Sequence, residues 1–139
     1  MGKSWLSGTS ILLAEDDEDF RVVIRYALEL AGFAGNIDLV SNYRGLFGYL
    51  EEREKPSLII LDLQTSPEDW RAALQELKSR NRYKDIPVVV LAASDQPEDV
   101  ELFEKYRRCS YIQKPATFED WRARMEKVIR NNLVETSSP

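Results

Sequence analysis

Two apolar runs in this chain end in carboxylates. Ile11-Leu12-Leu13-Ala14 leads into Glu15-Asp16-Asp17, and Leu58-Ile59-Ile60-Leu61 ends at Asp62. A third run, Tyr111-Ile112-Gln113, ends in Lys114-Pro115 and so delivers an ammonium. An acid that closes an apolar strand is costly to bury, which favours a position at a sheet edge where it has a task. Carboxylates gathered at one edge repel each other unless positive charge lies between them. A hard divalent cation such as Mg²⁺ meets that need, taking oxygen ligands and keeping positions for water and a phosphate oxygen. Acids, such a cation and a lysine together compose a site for phosphoryl groups.

The elements that must position these residues alternate along the chain. Strand patterns fall at 10–14, 37–40, 58–62, 86–91 and 109–113, and the runs at 58–61 and 88–91 are apolar throughout. Such runs suit strands covered on both faces. Helical spacing lies between them. Phe20, Val23, Ile24, Ala27, Leu28 and Ala31 form one stripe, with Gly32 as the stop. Ser41 or Asn42 can cap a helix carrying Leu46, Phe47 and Leu50. Ser66-Pro67-Glu68-Asp69 opens a third helix carrying Trp70, Ala73, Leu74 and Leu77. Asp95 opens a fourth, and Thr117 a fifth with Phe118, Trp121, Met125, Val128, Ile129 and Leu133 on one stripe. Repeated β-then-α units with short links predict an α/β domain: a five-stranded parallel sheet, doubly wound, with helices on both faces. In such sheets ligands bind in the crevice beyond the carboxyl ends of the strands. Residues 10–134 are expected to form this single domain, with 1–9 and 135–139 as loose ends.

Composition narrows the chemistry. At 139 residues the chain fits one domain. It contains no histidine, which excludes a Ser-His-Asp triad, a Cys-His pair and a His-ligated zinc within it. Its single cysteine, Cys109, has no internal disulfide partner and suits a reducing, cytoplasmic setting; it reads as a small apolar residue before its strand. A net charge of −5 argues against nucleic-acid binding, and no stretch approaches the roughly 20 apolar residues that span a bilayer.

With these motifs in order, the chain resembles the receiver domain of two-component response regulators, whose fold is flavodoxin-like (CheY-like). The resemblance rests on Ile11 to Asp17, Leu58 to Leu63, Ile86 to Ser94, and Tyr111 to Pro115, nearly the whole chain. The segments around Glu15 to Phe20 and Ser94 to Val100 look most like single-domain regulators that partner phytochrome-type sensor kinases. The resemblance implies that Asp62 accepts a phosphoryl group from a phosphohistidine on a partner sensor histidine kinase or phosphotransfer protein. It implies that Glu15, Asp16, Asp62 and the backbone carbonyl of Gln64 hold Mg²⁺. Lys114 would pair first with Asp62 and then with a phosphoryl oxygen, aimed by a cis Lys114-Pro115 bond. The plainer reading of Glu15, Asp16 and Asp17, as helix-capping acids at a positive helix end, is kept chiefly for Asp17.

Two departures from the family pattern stand out. The fourth strand normally delivers a Thr or Ser whose hydroxyl bonds the phosphoryl group and draws the next loop inward; here the position is Ala92. The aromatic that turns with that loop would be Tyr111. After Asp62 the chain runs Thr65-Ser66-Pro67 and carries Trp70 where the family commonly has glycine. A working phosphoacceptor with altered switching is favoured. A pseudo-receiver, an interaction module independent of phosphorylation, is the alternative. A phosphatase of the aspartyl-phosphate type would want a second Asp two residues after the nucleophile, where this chain has Gln64, so an enzyme is not expected. After Leu133 only residues 134–139 remain, so any effect is expected to pass through a protein partner or self-association. The mixed charges of the 97–130 face suit a homodimer, and an ordinary solvated surface explains them equally.

Overall fold

The computed structural model describes residues 9–62, 67–92, 101 and 105–133, excepting the side chains of 67–70. Five strands, β1 (Ser10–Glu15), β2 (Asn36–Val40), β3 (Leu58–Asp62), β4 (Val88–Ala92) and β5 (Cys109–Gln113), form a parallel sheet in the order β2-β1-β3-β4-β5. The described helices are α1 (Glu18–Leu30), α2 (Tyr43–Glu52), α3 (Pro67–Ser79) and α4 (Phe118–Asn132). The helix expected to open at Asp95, the cap at Ser66, the side chain of Trp70 and most of both expected loose ends lie outside the described residues.

Strand parity divides the core. Ile11, Leu13, Leu58, Ile60, Val89 and Leu91 pack against α1 and α4 through Ile24, Ala27, Leu28, Trp121, Met125 and Val128. Leu12, Ala14, Ile59, Leu61, Val88 and Val90 pack on the other face against Leu46, Leu50, Leu74 and Leu77 of α2 and α3. β3 is buried along its whole length, as its continuous apolar run requires. Each such buried Leu or Ile stabilises by about 1.5–3 kcal/mol.

The helix ends follow their signals. Asp17 caps α1 by accepting from the N–H groups of Asp19 and Phe20 at 2.8 and 3.3 Å, Asn42 caps α2 by accepting from Gly45 at 2.7 Å, and Thr117 caps α4 by accepting from Asp120 at 3.2 Å. Gly32 takes φ 104° just beyond α1, and the N–H groups of Gly32 and Phe33 close back onto Glu29 and Leu28. That is the double-bonded helix terminus that favours glycine.

Two expectations shift. β4 begins at Val88, because Pro87 has no N–H to give a ladder, and it runs on to Ala92. Phe118 is not on the buried stripe of α4. It is 37 % exposed and stacks on Tyr26 of α1 at 5.4 Å, outside the core that holds Trp121 and Met125.

Candidate functional site

Parity and register bring three of the expected residues together. Glu15 continues the Ile11-Leu13 face of β1 and Asp62 the Leu58-Ile60 face of β3, and the two are direct partners across the parallel pair. Lys114 follows β5 by one residue, and its backbone N–H donates to the Ala92 carbonyl at 2.8 Å. Its ammonium therefore reaches back over the same face, 2.7 Å from Asp62 Oδ2. Asp62 is fully buried and the lysine side chain is 7 % exposed. The contact is an ion pair rather than an aligned hydrogen bond. The Lys114-Pro115 bond is trans, since the described residues contain no cis peptide, and the expected cis bond is corrected. The trans chain already delivers the ammonium to Asp62, and trans is the lower-energy form by about 0.5–1 kcal/mol even before proline.

Glu15 is fully buried, with Oε2 accepting from the Asp17 N–H at 3.1 Å. Burial first, then the adjoining Asp62 carboxylate by contact and by charge, push the Glu15 carboxyl up to about 9. The Asp17 N–H and Lys114 pull the other way without prevailing. Glu15 Oε1 and Asp62 Oδ1 are buried and make no hydrogen bond. Two buried carboxylates on adjacent strands, each with an oxygen lacking a donor, fit a hard oxygen-seeking cation. Asp16 stands next in the chain, half-exposed. The described residues do not by themselves bring a third acidic side chain into a metal cage, and Gln64 lies outside them.

Ala92 closes β4 beside this group, in register with Gln113. Tyr111 is half-buried on the opposite face of the sheet, against the cluster of α2 and α3. Cys109 is partly buried, and burial pushes its thiol up to about 11, in keeping with an inert packing role.

Two residues of the site's surroundings were not read from the sequence as part of it: Phe20 was placed only on a helical stripe, and Arg21 was not singled out. Phe20 presents its ring to the Lys114 ammonium, 4.3 Å from the centroid. Arg21 donates from Nε to the Glu15 carbonyl at 2.7 Å and from Nη2 to Ser41 Oγ, tying the end of β1 to the chain leaving β2. Their signal was position alone: both lie in the first turn after the acidic run, where α1 must pass over the strand ends.

The fold agrees with what known proteins show. The family model for the response regulator receiver domain matches residues 11–126, and the chain belongs to that family. Its members are signalling domains of two-component systems, phosphorylated by sensor histidine kinases. The chain is 32 % identical to the probable methanogenesis regulatory protein FilR2 of Methanothrix harundinacea, over 85 % of this chain and 79 % of that protein. The structure of the phosphorylated cyanobacterial phytochrome response regulator RcpA aligns with a TM-score of 0.80 at 26 % identity, covering 94 % of this chain and 96 % of that one. The Mn²⁺-bound form of Rcp1, a response regulator of Synechocystis, aligns at 0.78 and 25 %, covering 94 % and 97 %. The chain spans about half the length of several transcriptional regulators it also matches. No helix of the described residues is long and apolar enough to cross a membrane.

Proposed function

We propose that this chain is a single-domain response regulator that accepts a phosphoryl group from a partner histidine kinase onto Asp62, in the cytoplasm. The observation that carries the reading is the buried group of Asp62, Glu15 and Lys114 at one strand edge, on a fold shared with phytochrome response regulators. An Asp62 oxygen forms the new O–P bond as the donor's P–N bond breaks, and the leaving imidazole takes its proton from solvent. Transfer of this kind needs chiefly positioning and charge stabilisation. Lys114 holds Asp62 before transfer and a phosphoryl oxygen after it. Burial keeps water from the anhydride, and the ammonium stands 2.7 Å from the acceptor carboxylate. Glu15, Asp16, Asp62 and the Gln64 carbonyl would hold Mg²⁺, which would supply positive charge against the phosphoryl oxygens. Output passes to a protein partner or through self-association.

A second reading has one observation in its favour. Ala92 cannot give the hydroxyl bond that joins phosphorylation to loop movement, so the fold could serve as an interaction module without switching. Intact mass separates the two. Acetyl phosphate and Mg²⁺ should add one phosphoryl unit to the native chain and none to Asp62→Asn. An unchanged native mass, under conditions that label an active receiver, would favour the interaction module.

A further inference from the structure

The Lys114 ammonium lies between two partners of different kinds. Asp62 Oδ2 is 2.7 Å away, and the face of the Phe20 ring is 4.3 Å away at its centroid. Phe20 is itself fixed. Its N–H donates to the capping Asp17 carboxylate at 3.3 Å, and its ring packs against Trp121 of α4 at 6.1 Å, tilted by 52°. Trp121 is in turn buried in the core between α1, α4 and the sheet. The lysine backbone is pinned to the Ala92 carbonyl, so its flexible stem is held at one end by the sheet and at the other by the ring.

An aromatic face attracts a cation through its quadrupole, and the attraction strengthens where water is excluded. Unlike a carbonyl or carboxylate, it takes up none of the ammonium's N–H donors, which stay available for oxygens. A polar seat would compete with Asp62 and later with the phosphoryl group. An aliphatic seat would leave a long side chain free to swing into solvent, since lysine carries considerable rotamer entropy. We propose that Phe20 is a positioning residue for phosphoryl transfer: its ring seats the Lys114 ammonium over Asp62 so that the same ammonium can pass from carboxylate to phosphoryl oxygen without leaving the site. This rests on the function proposed above and adds a residue to it.

The test has two arms that fail separately. In the metal-free native protein with ¹³Cε-labelled lysine, the Cε protons of Lys114, assigned by their loss in Lys114→Arg, should be displaced upfield by the ring current. Phe20→Leu should abolish the displacement and Phe20→Tyr should keep it. Unshifted Lys114 protons in the native protein would overturn the seat, whatever phosphorylation does. In the second arm, phosphorylation by acetyl phosphate with Mg²⁺ is timed by intact mass. Phe20→Leu should be about three- to thirty-fold slower than native and Phe20→Tyr within about twofold of it. In a Lys114→Ala background Phe20→Leu should bring no further loss, because the ring acts only through the ammonium. A native rate in Phe20→Leu, or an equal slowing with and without Lys114, would overturn the role. A native chain that takes no phosphoryl group would instead overturn the function itself.

Discussion

Glu15 holds its proton at the pH where most carboxyls have lost theirs, and the consequence can be measured. Its carboxyl is pushed from 4.5 up to about 9 in the folded protein, chiefly by burial and then by Asp62. Between those values the native state binds a proton that the unfolded chain has released. The metal-free protein should therefore lose stability as pH rises through that window, and below it the dependence should vanish. Glu15→Gln, neutral at every pH, should flatten the dependence in urea unfolding at pH 5.5 and 8.5. An equal loss in native and variant would assign the dependence to other groups. Ala92 carries the second prediction at this scale. A hydrogen bond to a charged acceptor contributes about 1.5–3 kcal/mol, and the native chain lacks the hydroxyl to make it. Ala92→Thr, at a strand end that accepts β-branched residues, should enlarge the phosphorylation-dependent change in Tyr111 chemical shifts. A full change already present in the native chain would mean that Ala92 is compensated. Asp62, Glu15 and Lys114 were legible because each directly continues a strand pattern, so parity alone put them on one face. Phe20 was not legible as a site residue. Its helical spacing announces burial, and nothing in spacing distinguishes a ring facing the core from one facing an ammonium.

Among the elements, the strands and caps were the most legible, since they rest on local chemistry: apolar runs, Asp17, Asn42, Thr117 and Gly32. Phe118 was misread because helical periodicity cannot tell a ring that enters the core from one that stacks on an exposed neighbour, here Tyr26. Lys78 of α3 escaped notice for a related reason. Its ammonium donates to the carbonyls of Lys84 and Ile86 at 3.0 Å each and lies 3.3 Å from that of Arg108. It thereby ties α3 to the incoming ends of β4 and β5, though the partners are backbone groups with no sequence signature. Burial lowers its pKa, so the charged form is held there at a cost. Lys78→Met should lower stability by about 1–2 kcal/mol in urea unfolding, the low side of a charged hydrogen-bond set because the group is part-exposed. It should leave phosphorylation unchanged, since Lys78 sits at the opposite end of the sheet from Asp62. A variant as stable as native would show that water replaces the ammonium there.

For the molecule as a whole, the parallel sheet and its two covered faces were inferable from alternating β-then-α patterns, whereas the strand order β2-β1-β3-β4-β5 was not, since several parallel orders accommodate five such units. How far the site closes around a metal was not inferable either, because that depends on side-chain geometry at the strand ends. If the paired carboxylates receive Mg²⁺, the ion binds the folded state alone and should raise the native melting temperature by linkage. The rise should be much smaller in Asp16→Ala/Asp62→Ala; an equal rise in both would put the ion elsewhere. The most direct measurement concerns where a phosphoryl group goes. Borohydride reduces an aspartyl phosphate to homoserine and so marks the acceptor permanently. After acetyl phosphate and Mg²⁺, peptide mapping should find homoserine at position 62, none at Asp16, and no 5-hydroxynorvaline, the corresponding product of a glutamyl phosphate, at Glu15. Homoserine at another position, or none at all in a chain that stays folded, would contradict the assignment of Asp62 as the phosphoacceptor.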